Sequence, residues 1–133
     1  MTLRAGFIGA GNRSQGAHYP NINRLPDVEM TAVCELDEGR LDQVVEKYGF
    51  RHVFTNHQEM LEQVEVDVVY CVMNERWLLQ PALDCLNAGK HIFIEKPPGA
   101  NRAETQLLLD AAIANNVYAM VGYQRRHSAV TRE

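Results

Sequence analysis

The sequence predicts an α/β fold in which a doubly wound parallel sheet carries helices on both faces. Short apolar segments alternate strictly with helical segments along its 133 residues. Strict alternation with short connections is typical of crossover units and therefore of parallel strands. Residues 66–73 are apolar at almost every position, as expected of a strand that is covered on both faces. The length allows a single domain.

The first elements follow from local patterns. Residues Leu3–Ile8 form the first predicted strand, and a helix is expected over residues 13–24. Pro20 lies inside that helix and predicts a kink or a broken first turn, because proline has no amide hydrogen. The β-branched residues at 28–35 predict a second strand. Residues 37–48 predict a helix, because their apolar side chains repeat at helical spacing and a glycine follows them.

The rest of the chain continues the alternation. Further strands are expected at His52–Phe54, 66–73, His91–Ile94 and 117–123, and further helices at 56–63, 78–88 and 101–116. Thr55 or Asn56 and, later, Asn101 are the predicted N-caps of two of these helices, because such side chains accept hydrogen bonds from free helix amides. Gly89 is expected to end the helix before it.

Composition and charge exclude several classes of partner. Thirteen Lys and Arg stand against 17 Asp and Glu, which gives a formal net charge of −4 at pH 7. A mildly acidic chain without an extended basic run is a poor candidate for nucleic-acid binding. No stretch reaches the roughly 18 apolar residues of a membrane helix, and the N-terminus lacks a signal-peptide pattern. These observations predict a cytoplasmic protein without nucleic-acid or membrane partners.

The cysteines do not form a recognisable framework. Cys34, Cys71 and Cys85 stand singly in apolar segments. An odd, scattered set argues against disulfides and against a metal site. We therefore expect three reduced thiols in the core and no bound metal.

A glycine-rich turn follows the first predicted strand. Gly9, Gly11 and Ser14 have the spacing of the Gly-x-Gly-x-x-Gly dinucleotide fingerprint, with serine in place of the third glycine. The first glycine permits a tight turn, and the second lets the backbone approach a pyrophosphate at the start of the next helix. The third position must be small for close packing. An ordinary strand-to-helix turn is the alternative interpretation.

An acidic residue ends the second predicted strand. Glu35 lies somewhat farther from the turn than the roughly 20 residues typical of the fingerprint. Its carboxylate can accept hydrogen bonds from adenosine ribose hydroxyls and would repel a 2′-phosphate, so NAD is predicted in preference to NADP. Asp37 is a rival for this role, but its position favours capping the next helix. Arg40 can offset phosphate repulsion, so NADP stays an alternative.

Lys96 follows the predicted strand His91–Ile94 at the carboxyl edge of the sheet. Ligands of open parallel sheets bind at that edge, so Lys96 and the glycine turn should face one crevice. A lysine near a nicotinamide can hydrogen-bond a substrate hydroxyl and take part in proton transfer. Pro97 and Pro98 predict a sharp exit from the strand, which can include a cis bond. An exposed lysine in a proline turn is the alternative.

Three blocks of sequence resemble one known family. They are Gly-Ala-Gly at residues 9–11, Ala-Gly-Lys-His-Ile-Phe-Ile-Glu-Lys-Pro at residues 88–97, and Val-Gly-Tyr-Gln-Arg-Arg at residues 121–126. Together they resemble the N-terminal, Rossmann-like NAD(P)-binding domain of the Gfo/Idh/MocA oxidoreductases over essentially the whole chain. The resemblance implies a dinucleotide-binding domain at residues 1–123. Residues 124–133 would begin the junction to a C-terminal substrate domain that this chain lacks.

The resemblance also implies cofactor-binding roles. The pyrophosphate turn would be formed by Gly9, Ala10, Gly11, Asn12, Arg13 and Ser14. Glu35 would hold the adenosine ribose. Met73 and Asn74 would line the cofactor by backbone contacts, although the family's usual Thr-Pro and histidine are missing here. Leu78 stands where that histidine would fall.

Further roles are implied after the later strands. Glu95 and Lys96 would lie by the nicotinamide ribose and ring, with Lys96 also reaching substrate as the catalytic residue. Gln124 and Arg126 match positions near the cofactor and the domain junction. Trp77 is expected to pack in the core.

Two histidines complete the predictions. His18 is expected to be structural, and His127 has no assigned role.

The implied activity is hydride transfer between a nicotinamide cofactor and a hydroxyl-bearing carbon of a sugar, polyol or related small molecule. The implied assembly is a homo-oligomer formed through the second domain. The alternative is a stand-alone dinucleotide-binding or sensing module without catalysis of its own. A third possibility is an NAD-dependent glycosidase, in which the redox chemistry is transient.

Overall fold

A computed structural model of the chain describes residues 2–128 and shows a six-stranded parallel sheet. The strands are β1 (Leu3–Ile8), β2 (Val28–Cys34), β3 (His52–Phe54), β4 (Val68–Cys71), β5 (His91–Ile94) and β6 (Ala119–Val121). They are ordered β3-β2-β1-β4-β5-β6, and each neighbouring pair is parallel. The order reverses between β1 and β4, as in the Rossmann fold. The predicted fold class is confirmed.

Helices connect successive strands. They are α1 (Tyr19–Ile22), α2 (Glu38–Tyr48), α3 (His57–Gln63), α4 (Glu75–Asn87) and α5 (Arg102–Ala114). A π-helical turn at Ser14–His18 precedes α1, and a 3-10 turn at Gln124–His127 follows β6. No helix within residues 2–128 is long and apolar enough to cross a membrane.

The helices cover the two sheet faces unequally. On one face, α3, α4 and α5 bury an apolar layer that extends across the sheet from β2 to β5. On the other face, α1 and α2 pack around Phe7 of β1. Phe7 begins a lateral row of paired residues that continues through Tyr70, Phe93 and Met120. Towards β6 this row becomes the floor of a cleft.

The first helical segment is divided near its proline, as predicted. The Tyr19 amide donates to the Ser14 carbonyl five residues earlier, which closes a π-type turn. Pro20 then occupies the first turn of α1, where the lack of an amide hydrogen costs little.

Asparagine and aspartate caps define the helix starts. Asp37 caps α2, Asn56 caps α3 and Asn101 caps α5, each by accepting backbone amide hydrogen bonds. Asn74 caps α4 in the same way, accepting from the Arg76 amide at 3.0 Å. The predicted start of this helix at residue 78 was therefore wrong, because Asn74, four residues earlier, is the N-cap and the helix begins at Glu75.

Two strands are shorter than predicted. Pairing limits β4 to Val68–Cys71 and β6 to Ala119–Val121. The flanking apolar residues lie in connections: Val66 is buried in the core beside α3, whereas Tyr123 is exposed. Val66 is apolar because it packs in the core, and Tyr123 is exposed, so neither residue indicates strand pairing.

The three cysteines lie in the core, as predicted. Cys34, Cys71 and Cys85 are buried and free. Burial raises the pKa of the Cys34 thiol to about 11. A hydrogen bond with Cys71, together with burial, raises the pKa of Cys85 well above its ordinary value.

Candidate functional site

The turn after β1 requires a glycine at its first position. Gly9 has a φ of +100°, and a Cβ atom there would collide with the backbone carbonyl oxygen of Val72. Its amide donates to the Cys34 carbonyl at 2.8 Å. The turn is therefore held between the carboxyl ends of β2 and β4, next to the point where the strand order reverses.

Ser14 replaces the third glycine of the fingerprint without opening the packing. It is fully buried, and its hydroxyl donates to the Gly9 carbonyl at 2.6 Å. The hydroxyl of Tyr19 donates to the same carbonyl at 2.9 Å. Two side chains thus fix the turn by hydrogen bonds.

Gly11 leaves the backbone open to a ligand. A Cβ atom at this position would have no heavy atom within 4 Å. The preceding residue, Ala10, is buried, and its amide donates to Glu35 Oε2 at 2.8 Å. The Ala10 amide is therefore engaged within the protein, whereas the surface above Gly11 can admit a bulky anion such as a pyrophosphate.

Glu35 is fixed by backbone amides at the end of β2. Besides Ala10, the Asp37 amide donates to the carboxylate, with 3.1 Å to Oε1. Arg40 Nη1 lies 4.0 Å from the same oxygen. Asp37 itself caps α2 through its side chain, as predicted. Glu35 thus keeps acceptor capacity in a fixed orientation at the sheet edge.

A first cleft of about 530 Å³ opens at this edge. It brings together five of the predicted cofactor residues, namely Gly9, Gly11, Glu35, Met73 and Asn74. The floor comes from the ends of β1, β2 and β4. Elongated ligands of open parallel sheets bind in such a position.

A polar cluster joins the glycine turn to the end of β5. Glu95 is 8% exposed, and its Oε1 lies 2.7 Å from Arg13 Nε and 2.7 Å from His18 Nε2. Arg13 Nη2 donates to Gln124 Oε1 at 2.7 Å. Three predicted site residues, far apart in sequence, therefore meet here.

The charge of Glu95 is balanced within this cluster. Burial raises the pKa of the Glu95 carboxyl, but hydrogen bonds from Arg13 and His18 outweigh burial and hold that pKa below its ordinary value. His18 was expected to have a structural role, and its contact with the buried Glu95 carboxylate agrees with that prediction.

A second cleft of about 510 Å³ lies beside the cluster. Its walls include Arg13, His18 and Gln124, and its floor is the apolar row on β4, β5 and β6 that ends at Met120. His127, which had no assigned role, also lines it.

Lys96 lies in the exposed connection after β5. The Lys96–Pro97 bond is cis, as the proline pair allowed. The Lys96 amide donates to Glu95 Oε2 at 3.3 Å, so the buried glutamate holds the lysine backbone. Within residues 2–128 the Lys96 ammonium makes no ion pair, which leaves it available to a ligand.

Two predicted positions lie at the periphery. Asn12 is exposed at the start of the helical segment, and the Arg126 guanidinium lies 5.8 Å from the centre of the Tyr123 ring. Residues 129–133, part of the predicted junction, lie outside the described residues. Within residues 2–128 no group of three or more metal-ligating side chains occurs.

One residue of the first cleft was misassigned from the sequence. Trp77 was expected in the core, yet it is 75% exposed and lines the cleft. Its neighbour Leu78 takes the buried position. The Asn74 cap was the available indication, because it places Trp77 inside the helix, one residue and about 100° from the buried stripe that begins at Leu78.

The fold and this edge define a dinucleotide-binding domain of the oxidoreductase class. A family model described as "Oxidoreductase family, NAD-binding Rossmann fold" matches residues 3–123. The chain belongs to this family, the Gfo/Idh/MocA oxidoreductases.

Named relatives support the assignment. The chain is 28% identical over 124 residues to myo-inositol 2-dehydrogenase of Thermotoga maritima, covering 93% of this chain and 37% of that protein. It is 33% identical over 110 residues to D-glucoside 3-dehydrogenase of Escherichia coli, covering 83% and 31%. The chain thus spans about a third of the length of these relatives.

Solved structures share the fold. Scyllo-inositol dehydrogenase from Lactobacillus casei, with bound NAD(H) and scyllo-inositol, superposes with a TM-score of 0.92 at 26% identity, covering 99% of this chain and 39% of that one. A 3-ketoreductase from Actinomadura kijaniata in complex with NADP gives a TM-score of 0.91 at 25% identity, covering 99% and 40%. Relatives with either cofactor therefore share this domain.

Proposed function

We propose that this chain binds NAD across the carboxyl edge of its sheet as the cofactor-binding part of a sugar or polyol dehydrogenase. One observation carries the proposal. The open backbone at Gly11 lies between a fixed carboxylate, Glu35, and the segment that presents Lys96. In this arrangement the adenosine occupies the first cleft, the pyrophosphate lies on the glycine turn, and the nicotinamide lies near Lys96.

NAD is preferred to NADP because of Glu35. Its carboxylate is held by two backbone amides and faces the first cleft. A ribose with free hydroxyls can donate to it, whereas a 2′-phosphate would bring like charges together. Arg40 is the cation that could favour NADP, but it already lies 4.0 Å from Glu35 and 3.9 Å from Asp37.

Lys96 takes part in proton movement at the substrate oxygen. When bound, the nicotinamide exchanges a hydride with the carbon that bears this oxygen. Lys96 hydrogen-bonds the oxygen and transfers the proton, while Glu95 holds the lysine backbone. The names of the inositol and glucoside dehydrogenases support a sugar or polyol as substrate.

The remaining assignments concern the whole protein. Residues 1–123 form the cofactor domain, and residues 124–133 lead into a substrate domain through which the protein forms homo-oligomers. The protein acts in the cytoplasm, where the three buried cysteines stay reduced.

Calorimetric titration of the chain with NAD and NADP tests the proposal. We expect NAD to bind at least about tenfold more tightly than NADP, and Glu35→Gln to reduce that ratio to less than about threefold. Glu38→Gln is the matched control, because it removes one exposed charge of the same helix start and should leave the ratio within about twofold. Failure of both dinucleotides to bind would reject the site, and equal binding would reject the role of Glu35.

A further inference from the structure

His18 is a polar side chain enclosed in the wall of the second cleft. The side chain is 13% exposed, and its Nε2 atom lies 2.7 Å from Glu95 Oε1. The imidazole ring contacts Phe93 edge-on, with 5.1 Å between the ring centroids, and its centroid lies 6.2 Å from that of Tyr70. Aromatic side chains of β4 and β5 thus limit the rotation of the imidazole, so that one nitrogen faces the carboxylate.

The π-helical turn before α1 brings His18 to this position. The Tyr19 amide donates to the Ser14 carbonyl five residues earlier, one residue more than in an α-helix. Isolated turns of this kind are rare and are frequent at functional sites. Here two consecutive side chains bind different groups. The Tyr19 hydroxyl donates to the Gly9 carbonyl at 2.9 Å, whereas the imidazole of His18 binds Glu95.

The two partners of Glu95 Oε1 differ in exposure. Arg13 Nε also lies 2.7 Å from this oxygen, but the Arg13 side chain is 46% exposed and starts from the glycine turn. A long, half-exposed side chain keeps rotamer freedom, and an anion bound at the turn competes for its guanidinium. His18 is enclosed and is therefore the partner that keeps the carboxylate in place when a ligand binds.

Glu95 passes this constraint on to Lys96. Its Oε1 atom is bound by His18 and Arg13, and its Oε2 atom accepts the Lys96 amide at 3.3 Å. The residue is only 8% exposed, so a lost donor is not readily replaced by water. Without the imidazole, the carboxylate is free to turn towards the guanidinium, and the Lys96 amide loses its acceptor.

We infer that His18 is a positioning residue, which holds the Glu95 carboxylate in the orientation that fixes the backbone of Lys96. The inference rests on the proposed function, in which Lys96 lies beside the nicotinamide. His18 acts through Glu95 and does not itself touch the dinucleotide. Its contribution is to keep a group of the site within the narrow range of positions that productive geometry requires.

The His18 ring of the unmodified chain supplies the first test. A ring nitrogen that donates to a carboxylate carries a hydrogen. We therefore expect nitrogen–hydrogen correlation NMR at neutral pH to show a hydrogen on Nε2, both without ligand and with saturating NAD. An Nε2 atom without a hydrogen would overturn the inference, and this measurement needs no variant.

Substitution of His18 supplies the second test. Bound NAD should shift the NMR resonances of the Lys96 side chain, because the nicotinamide lies near it. In His18→Leu, NAD affinity measured by calorimetry should stay within about threefold. The shift at Lys96 should fall by about half or more, because the lysine is no longer held in place. His18→Gln should restore most of the shift, since its amide can donate to Glu95.

His127→Leu is the matched control, because His127 is an exposed histidine that lines the same cleft. It should leave both the NAD affinity and the shift at Lys96 unchanged. Should His18→Leu fail to fold, His18→Phe takes its place, because phenylalanine keeps an aromatic ring but cannot donate to Glu95.

The outcomes separate the positioning role from the proposed function. If NAD binds with the expected dependence on Glu35 but the variant without a donor at His18 shows the full shift at Lys96, the positioning role is rejected and the dinucleotide site stands. Loss of the shift in His18→Gln as well also rejects it, because the hydrogen bond is then not the cause. If NAD does not bind at all, the proposed function and the positioning role are rejected together.

Discussion

The two clefts at the carboxyl edge have nearly equal volumes, about 530 and 510 Å³. Each is lined by a glutamate, but the two carboxylates bind different kinds of partner. In the first cleft, Glu35 is held by two backbone amides, and the nearest guanidinium nitrogen is 4.0 Å away. In the second, Glu95 lies 2.7 Å from both Arg13 and His18. The Glu35 carboxylate is therefore oriented by backbone amides, and the Glu95 carboxylate is bound to two side chains of the protein.

The difference indicates that Glu35 recognises the ligand, whereas Glu95 stabilises the structure of the site. A carboxylate fixed by amides keeps its charge and spare acceptor positions, so Glu35 can distinguish a ribose hydroxyl from a phosphate. A carboxylate paired with Arg13 has little left to offer a ligand. We therefore expect Glu95 to act as a positioning residue that joins the glycine turn to the Lys96 backbone, and not as a direct ligand of the nicotinamide ribose.

The largest expected effect is on stability, and it differs between one glycine of the first cleft and one of the second. Gly9→Ala forces a Cβ against a backbone carbonyl at positive φ and should lower the free energy of unfolding by about 3 kcal/mol or more. In Gly122→Ala the new Cβ would lie 2.8 Å from Phe93 Cζ, the far end of a side chain that borders open space. Its cost should be about 1 kcal/mol. Urea unfolding measures both, and equal losses would contradict the contrast.

Lys96→Met should separate binding from chemistry in the proposed dehydrogenase. We expect the proposed dehydrogenase activity to fall by roughly 100-fold, because a proton-transfer group is lost. NAD affinity should change by less than about threefold, since Lys96 does not line the first cleft. Lys90→Met, at the amino end of β5, is the control and should retain turnover. Turnover within a few-fold of normal in Lys96→Met would reject its role.

Glu95→Gln should have a smaller and pH-dependent effect. Removing the charge leaves Arg13 and His18 unpaired and should cost about 1–2 kcal/mol at pH 7, reduced by the half-exposure of Arg13. Because the pKa of Glu95 is lowered by folding, its stabilisation is complete above its ordinary value of 4.5 and is lost as the pH falls through the lower value in the folded protein.

Urea unfolding of the unmodified chain and of Glu95→Gln at neutral and acidic pH measures this difference. Glu35→Gln is the comparison, because its one amide oxygen can accept from only one of the two backbone amides that hold the carboxylate. It should cost about 1–2 kcal/mol at pH 7 through the unsatisfied amide and not through a lost ion pair. A Glu95→Gln deficit that stays constant down to strongly acidic pH would contradict the paired state of this carboxylate.

The sequence was most informative where the cause is local. Strand alternation, the Gly9 turn and the caps Asp37, Asn56 and Asn101 each follow from one residue type or one spacing, and all were confirmed. The prediction for Trp77 was wrong because Trp77 lies inside α4, one residue from Leu78, and successive helix residues face different sides.

Long-range pairing could not be predicted from such patterns. Arg13 and Glu95 are 82 residues apart, and only the neighbouring positions of β1, β4 and β5 in the sheet bring them into contact. The family resemblance placed both near a cofactor, but it did not show that they bind each other. Charge pairing at this edge depends on tertiary geometry, which no local spacing encodes.

The three buried thiols allow the opening of this fold to be followed by chemical labelling. Only a thiolate exposed to solvent reacts readily with a disulfide reagent, and burial raises the pKa of Cys34 to about 11. The rate of labelling at neutral pH therefore measures how often the protein opens far enough to expose each thiol to solvent. Cys34 reports on the rim of the first cleft, whereas Cys85 lies between α4 and the sheet. The order in which these sulfurs react reveals which part of the sheet loosens first.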